Sequence, residues 1–244
     1  MTSAVVQFVA ASDTCGRLRA DAARNRSALV NAGLAVFGER GLDAPLDEIA
    51  RRAELGNATL YRHFPTRCEL VVAVYAETLR EIVAAGEAAL ANPDPWGGFT
   101  THVTFLCELQ ANNLGLADLL TTRVDGSAEL EVLRELAHDG FERIAARAIK
   151  AGSLSADFRP EDLVLLLMAN AGLVRRTAGA APTAWRRLLS YTLNGLAASP
   201  DARRTPAPAP DARAIDAAMA DVTCSSGAAS SAGEQVPAEP PPAE

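Results

Sequence analysis

Apolar residues recur every three or four positions along most of the chain, which is the period of an α-helix. Over residues 20–40 this pattern predicts one helix, and Gly41 ends it. A shorter apolar face follows over residues 46–53. The pattern breaks at Gly56 and resumes over residues 57–64. The N-terminal third is therefore predicted to hold one helix and then two short helices joined by a tight turn.

A long helix and five further helices are predicted after these. Thr66 and Glu69 fit a capping box, in which the Thr66 hydroxyl accepts a hydrogen bond from the Glu69 amide. The long helix runs from there to about Ala91, and prolines at positions 93 and 95 mark a domain boundary. No stretch has the alternation of a β-strand, so we expect an all-α fold. The later helices are predicted over residues 96–113, 115–124, 127–151, 160–178 and 183–198.

Residues 46–64 have the pattern of a helix-turn-helix, two short helices joined by a turn that contains a glycine. The second helix of such a motif can lie in the major groove of DNA. Its polar face would carry Asn57, Thr59, Arg62 and His63, with Tyr61 beside them. The shape alone also occurs in many all-α proteins, and Tyr61 and Phe64 would then be ordinary core residues.

The segment from Ile49 to Leu70 resembles the tetracycline-repressor (TetR/AcrR) family of bacterial transcription regulators. The match runs residue by residue over IA-x5-G-N-A-TLYRHF-x2-R-x2-L, with a predicted helix before it and another after it. The resemblance covers residues 20–85 of the chain. It implies a three-helix DNA-binding domain followed by a helical ligand-binding and dimerisation domain, in a regulator that is more often a repressor than an activator.

Seven residues are predicted to contact a DNA operator. Asn57 and Thr59 would lie deepest in the groove, because Asn pairs bidentately with adenine and a Thr methyl group can touch that of thymine. The resemblance implies that Tyr61 and His63 of the same helix contact phosphate groups. An arginine at the start of the following helix would bind phosphate, since free backbone amides there already favour an anion. Arg62 would reach either a phosphate or a guanine. The predicted DNA-binding residues are Asn57, Ala58, Thr59, Tyr61, Arg62, His63 and Arg67.

Three positions depart from the family pattern. Gly56 stands where a serine cap is common, which costs roughly a few tenths of a kcal/mol. Asn57 replaces a frequent lysine or arginine, and Ala44-Pro45 replaces a residue whose hydroxyl often touches phosphate. These departures weaken the expected non-specific attraction to DNA and leave the motif intact.

The last two predicted helices would form a homodimer interface. By resemblance, they pair with those of a second copy in a four-helix bundle, and a two-fold dimer can read two half-sites. The alternative is that the same side chains close the core of the monomer. The predicted dimerisation residues are Leu163, Leu166, Leu167, Asn170, Val174, Leu188, Leu189, Thr192 and Leu196.

A small-molecule effector of unknown identity is expected to bind in the same domain. Ligand pockets are mostly apolar and contain a few polar groups. A stripe of leucines and aromatic residues is more often ordinary core, so this alternative stays open. The predicted ligand-binding residues are Phe99, His102, Val103, Leu106, Leu119, Met168 and Trp185.

The net charge of −7 argues at first against a nucleic-acid partner. However, residues 1–80 hold 10 arginines against nine acidic residues, so the acidic surplus belongs to the rest of the chain. A local patch must supply the attraction for phosphate. The four cysteines are scattered, no basic segment precedes an apolar run at the N-terminus, and no apolar run approaches about 20 residues. We therefore expect a cytoplasmic protein without a membrane segment.

Enzymatic and metal-binding sites find little support in the sequence. It has no glycine-rich phosphate loop and no G-x-S-x-G motif. Glu135 and His138 have the spacing of a di-iron ligand pair, but no second E-x-x-H exists, and a solvated helix face explains the pair better. We expect no catalytic activity, no cofactor and no bound metal.

These patterns divide the chain into five segments and lead to one functional hypothesis. The tail holds eight of the 14 prolines and no aromatic residue, so it cannot offset the entropy of ordering. We expect a ligand-responsive transcriptional regulator, and the alternative is a helical small-molecule-binding or adaptor protein without DNA binding. The predicted segments are a mobile extension over 1–19, a DNA-binding domain over 20–67, a connecting helix over 68–91, a ligand-binding and dimerisation domain over 92–198 and a disordered tail over 199–244.

Overall fold

The structure, a computed structural model, describes residues 3–122, 126–198 and 210–219. Within these ranges the chain forms ten α-helices and no β-strand beyond an isolated bridge between Leu154 and Ala197. The predicted all-α fold is confirmed. The helices are α1 (Ser3–Arg40), α2 (Leu46–Arg52), α3 (Asn57–His63), α4 (Arg67–Ala91), α5 (Pro95–Asn112), α6 (Leu114–Thr121), α7 (Ala128–Lys150), α8 (Pro160–Thr177), α9 (Ala184–Leu196) and α10 (Ala212–Met219).

Buried apolar residues of α1, α2, α3 and the start of α4 belong to one core cluster, which continues into the second half of the chain. Phe37 of α1, Ile49 of α2 and Leu60 of α3 are each fully buried there. Helices α2 and α3 have seven residues each, too few to be stable in isolation. Helix α2 is therefore held against α1, and α3 against α2, which fixes how α3 is presented to solvent.

Helix α4 joins the N-terminal helices to the rest of the molecule. It begins as predicted, because the amide of Glu69 donates to the Thr66 hydroxyl over 3.2 Å. It packs against α1 and, further along, against α5 and α7. In its middle the Tyr75 hydroxyl donates to the side-chain oxygen of Asn113, 2.8 Å away, just before α6. One helix thus contacts both halves of the chain.

Helices α5 to α9 build the second half. Helix α6 lies against both α1 and α8, and α8 also packs against α5 and α9. The observed ends of these helices lie within about three residues of the predicted ones, as helix ends usually do. The arrangement leaves α6 between the N-terminal helices and the last long helices of the domain.

The two ends of the chain differ from the sequence-based expectation. Helix α1 begins at Ser3 rather than near Ala20, because no proline interrupts residues 3–19 and an existing helix extends easily. Of the tail, residues 199–209 and 220–244 lie outside the described residues, whereas α10 is helical and its Ile215 is buried. In the described ranges no helix is long and apolar enough to cross a membrane.

Candidate functional site

Helix α3 turns its predicted DNA-binding side towards solvent. Leu60 and Phe64 are buried at 0% and 1% exposure, and they anchor the helix on the N-terminal core. Tyr61 is 45% exposed, which rules out the alternative that it is a core residue. The exposed residues of this helix are Asn57, Ala58, Tyr61 and Arg62. They form a continuous polar surface, called here the α3 face.

Two of the predicted contacts, Thr59 and His63, are only half exposed. The Nε2 atom of His63 is buried and has no hydrogen-bond partner among the residues that the structure describes. The ring lies 6.5 Å from that of Phe64, measured between centroids. His63 therefore lies at the inner edge of the α3 face, and its Nδ1 atom is the one left for the predicted phosphate contact.

The turn between α2 and α3 contains Gly56, as predicted, but the residue with the left-handed backbone is Glu54. Glu54 has a φ of 57°, in the left-handed region that L residues seldom adopt. The amide of the next residue, Leu55, then donates to the Ala50 carbonyl over 2.9 Å, closing the end of α2. Gly56 has an extended backbone, with φ −75°, and accepts the first hydrogen bonds of α3.

Arg67 holds the loop before α2. Its Nη1 atom donates to the carbonyl oxygens of Leu42 at 2.5 Å and Ala44 at 2.8 Å. These bonds fix the direction of the guanidinium, since its donors lie in one plane. The predicted phosphate contact of Arg67 stays a prediction, and the remaining nitrogen atoms of the group would have to make it.

Charges around the α3 face are unevenly paired. Arg52 of α2 binds both carboxylate oxygens of Glu39 in α1, at 2.6 and 2.7 Å, and this hydrogen bonding lowers the pKa of Glu39. Arg40 pairs with Glu48 between the same two helices. In the described part of the chain no carboxylate pairs with Arg62. The Arg62 guanidinium is therefore available to a phosphate or a base.

Of the seven predicted ligand-binding residues, all except the half-buried Met168 are buried in the core. Phe99 lies in an aromatic cluster, with ring centroids 5.7 Å from Trp96, 5.9 Å from Phe141 and 5.5 Å from Phe158. A cavity of about 40 Å³ lies elsewhere, between α5, α8 and α9, and none of the seven lines it. Its lining residues are Cys107, Leu166, Ala169, Asn170, Leu188, Leu189 and Thr192.

His102 is the polar member of that aromatic cluster. It is 3% exposed, its ring centroid lies 6.2 Å from that of Phe141, and its Nδ1 atom is buried without a hydrogen-bond partner in the described ranges. Burial lowers the pKa of His102 to about 4, because the charged form would lose its hydration. The same cause raises the pKa of the Cys107 thiol to about 12. Both side chains are therefore neutral at pH 7.

The predicted dimerisation residues divide into two groups. Leu167, Asn170, Val174 and Leu189 are buried within the chain itself, as the monomer-core alternative requires. Leu188 is 38% exposed, and the remaining four are partly buried. The sequence pattern missed Leu165 and Tyr191, which are 41% and 61% exposed on α8 and α9. The large apolar side chains that α8 and α9 expose are therefore Leu165, Leu188 and Tyr191.

Gln110, a fully buried amide that bonds to Asn170 over 2.9 Å, is not among the residues predicted from the sequence. The signal was present, because His102, Leu106 and Gln110 are spaced four apart and share a helix face. The family resemblance predicts Asn170 at the subunit interface, together with the leucines beside it on α8. Neither a family motif nor the helical period distinguishes an inward from an outward face in a helix that is apolar on both sides.

Comparisons with known proteins agree on one family. Residues 29–74 match the family described as bacterial regulatory proteins, tetR family. Over 136 residues the chain is 29% identical to the HTH-type transcriptional repressor KstR of Mycolicibacterium smegmatis, a match that spans 54% of this chain and 66% of that repressor, just under two thirds. Among solved structures, the TetR transcriptional regulator SCO0520 of Streptomyces coelicolor is 30% identical, with 71% of this chain and 99% of that one covered and a TM-score of 0.48.

The fold itself has a more distant relative. The transcriptional regulator FadR of Bacillus subtilis, solved in complex with stearoyl-CoA, superposes with a TM-score of 0.52 at 13% identity. That superposition covers 70% of this chain and 98% of FadR. At this identity the likeness concerns the fold alone, so the ligand of FadR is a property of FadR.

Proposed function

This chain belongs to the tetR family of bacterial regulatory proteins, and we propose that it acts as a homodimeric repressor that a small-molecule effector releases from its operator. It is a DNA-binding transcriptional regulator and not an enzyme. Regulation by an effector requires that the effector bind one conformation better than the other.

The α3 face is the observation that supports operator binding by these particular residues. A short helix anchored by Leu60 and Phe64 presents Asn57, Tyr61 and Arg62 to solvent. An amide can read adenine, and a hydroxyl and a guanidinium can bind phosphate oxygens. We assign residues 20–67 to DNA binding, with α3 as the recognition helix. A protein whose target is the operator works in the bacterial cytoplasm.

An apolar surface on α8 and α9 supports the homodimer. Leu165, Leu188 and Tyr191 are 41%, 38% and 61% exposed on these adjacent helices. Exposed apolar side chains grouped on one side of a molecule mark an interaction site. We propose that the same surface of a second copy covers them by two-fold symmetry, which also places two α3 helices on one DNA duplex.

Light scattering coupled to size-exclusion chromatography tests the dimer. Leu188→Glu puts a carboxylate into the proposed interface and should convert the dimer into a monomer. The matched control is Leu136→Glu on α7, where the leucine is 49% exposed and does not belong to the proposed surface. A wild-type monomer, or a Leu188→Glu protein that stays dimeric at low micromolar concentration, would refute this interface.

Sequencing the genomic fragments that the protein captures from its own organism would identify the operator. Fluorescence anisotropy on such a fragment then tests the α3 face. We expect Asn57→Ala to weaken binding by roughly 1–3 kcal/mol if the amide reads a base. Arg62→Ala should reduce the slope of log affinity against log salt by about one if the guanidinium binds phosphate.

The control for the arginine is Arg143→Ala, since Arg143 is exposed on α7 and pairs with Glu87 away from the α3 face. It should leave both the affinity and the salt slope unchanged. Capture of no specific fragment, or equal affinity for wild type and both α3 variants, would favour the helical adaptor without DNA binding.

A further inference from the structure

One arginine of α1 contacts the residue that ends α3. The guanidinium carbon of Arg26 lies over the ring of Phe64, 4.9 Å from the ring centroid. Phe64 is 1% exposed, whereas Arg26 is exposed. The ring of His63, a predicted phosphate contact, lies 6.5 Å from the ring of Phe64. Arg26 therefore lies beside the end of the α3 face, although it belongs to a different helix.

The hydrogen-bond donors of Arg26 are not used within the protein. Among the residues that the structure describes, no carboxylate and no carbonyl oxygen accepts a bond from its guanidinium. An arginine carries five N–H donors, and its attraction to an aromatic ring depends on its charge rather than on those donors. The ring also restrains the side chain, so less conformational entropy is lost when the donors bind an anion.

A second arginine of α1 lies on the same side of the helix. Arg19 precedes Arg26 by seven residues, which is two helical turns, and it is exposed without an ion pair in the described ranges. Arg24 differs from both. It pairs with Asp21, and its position is about 200° around the helix axis from that of Arg26. The unpaired cations thus lie on the side of α1 that contacts Phe64.

The contact with Phe64 alone does not require an arginine. At an exposed site the charge of a cation over an aromatic ring contributes only about 0.5–1 kcal/mol. An uncharged unbranched side chain could cover the ring as well. The whole chain has a net charge of −7, so any attraction to a polyanion has to come from local cations such as these.

We propose that Arg26 and Arg19 bind phosphate groups of the operator beside those that α3 contacts. The rise of about 1.5 Å per residue separates the two positions by about 10 Å along α1, so they reach different phosphates. Helix α1 then contributes to DNA affinity and α3 to sequence reading. This inference rests on the proposed operator binding and extends the DNA surface to a second helix.

Fluorescence anisotropy on a labelled duplex of arbitrary sequence, about 30 base pairs long, tests the proposal without the operator, because phosphate contacts do not depend on sequence. Arg26→Met keeps an unbranched side chain for packing on Phe64 and removes the charge. Loss of one phosphate contact lowers the slope of log affinity against log salt by about 0.9. Between about 50 and 200 mM salt, the affinity of the variant should therefore fall about three- to fourfold less than that of the wild type.

Adding Arg19→Met to Arg26→Met should lower the slope by about 0.9 again. Two controls separate a phosphate contact from general charge. Arg24→Met removes the same charge on the other side of α1 and should keep the slope of the wild type. Arg26→Lys keeps the charge and should keep the slope too. An equal reduction in Arg24→Met and Arg26→Met would overturn the proposal.

Thermal unfolding by circular dichroism separates this role from a purely structural one. We expect Arg26→Met to unfold within a few degrees of the wild type, because its side chain still covers Phe64. An Arg26→Met protein that loses stability and keeps the salt slope of the wild type would show that Arg26 only covers the ring, and would overturn the proposal.

The arbitrary duplex and the captured genomic fragment distinguish this inference from the proposed function. A protein that binds the arbitrary duplex through Arg26 and captures no specific fragment keeps the α1 contacts and loses its role as a repressor. A protein that binds a captured fragment specifically, with the same salt slope in Arg26→Met as in the wild type, overturns the α1 contacts and leaves the repressor in place.

Discussion

The backbone amide of Leu42 donates a hydrogen bond to the carboxylate of Asp118, 2.9 Å away and 76 residues later in the chain. The other oxygen of Asp118 pairs with Arg175 of α8, and the carbonyl of Leu42 accepts from Arg67 at the start of α4. The loop between α1 and α2 is therefore hydrogen-bonded both to α6, through Asp118, and to α4, through Arg67. Through Asp118, helices α6 and α8 are thus joined by hydrogen bonds to the loop that precedes the helix-turn-helix.

Removing the Asp118 carboxylate should destabilise the protein. Asp118→Ala leaves the Leu42 amide unpaired at a residue that is 1% exposed, so we expect a loss of about 1–3 kcal/mol in the free energy of unfolding by urea. Asp118→Asn keeps an acceptor oxygen and should lose less. Asp139→Ala on the exposed side of α7 is the matched control and should change stability little. A loss of equal size in both alanine variants would refute this role of Asp118.

Close packing at the start of α6 leaves no space for a side chain at Gly115. A methyl group on Gly115 would lie 2.3 Å from the Tyr75 hydroxyl and 2.9 Å from the β-carbon of Phe37. Gly115→Ala must therefore push α6 away from α1 and α4, and we expect a loss of about 1–3 kcal/mol in unfolding free energy. At Gly140 of α7 no atom lies within 4 Å of such a methyl group.

The alanine variant at Gly140 should change stability in the opposite direction. Gly140→Ala should stabilise the protein by about 0.5–1 kcal/mol, because alanine loses less backbone entropy in a helix. Thermal unfolding of the two variants beside the wild type measures both effects. Destabilisation by Gly140→Ala, or a neutral Gly115→Ala, would contradict the packing described here.

The sequence predicted the helices far better than their contacts. The apolar period gave nine of the helices described here to within a few residues, apart from the start of α1, because helix formation depends on local spacing and caps. The Leu42–Asp118 and Gln110–Asn170 bonds join residues 76 and 60 positions apart, and no local pattern encodes such pairs. The α3 face was predictable because a motif of consecutive residues specifies it.

The turn before α3 is a case in which the local rule failed. A left-handed backbone usually favours glycine, yet Glu54 has the positive φ and Gly56, two residues later, is extended. The two residues are separated by Leu55, which packs against the core. Tertiary packing of that leucine thus decides where the chain turns, and it overrides the local preference of glutamate for a negative φ.

Replacing Glu54 with glycine should relieve this backbone strain. At a φ of 57° a non-glycine residue costs about 1 kcal/mol, so we expect Glu54→Gly to leave stability unchanged or raise it by up to about 1 kcal/mol. The same substitution inside a helix, Glu135→Gly on the exposed side of α7, should lower stability by about 1 kcal/mol. Urea unfolding distinguishes the two, and equal losses would show that Glu54 carries no strain.

Neutral burial of His102 predicts how stability changes with pH. Its pKa is about 4 in the folded chain against 6.5 as the ordinary value. Below pH 6.5 the unfolded chain binds a proton that the folded chain does not bind, so stability falls as pH drops from about 6.5 towards 4. Between pH 7 and pH 5 this single group should account for a loss of about 2 kcal/mol.

His102→Leu removes the titrating group. The free energy of unfolding by urea should therefore fall by about 2 kcal/mol less between pH 7 and pH 5 in this variant than in the wild type. His138→Gln is the control, since His138 is exposed and contacts Glu142 over 3.3 Å on the surface of α7. It should keep the drop of the wild type, because the buried imidazole is still present. A His102→Leu protein with an undiminished pH dependence would show that His102 is protonated in the folded state, and its unpaired Nδ1 atom would then need another explanation.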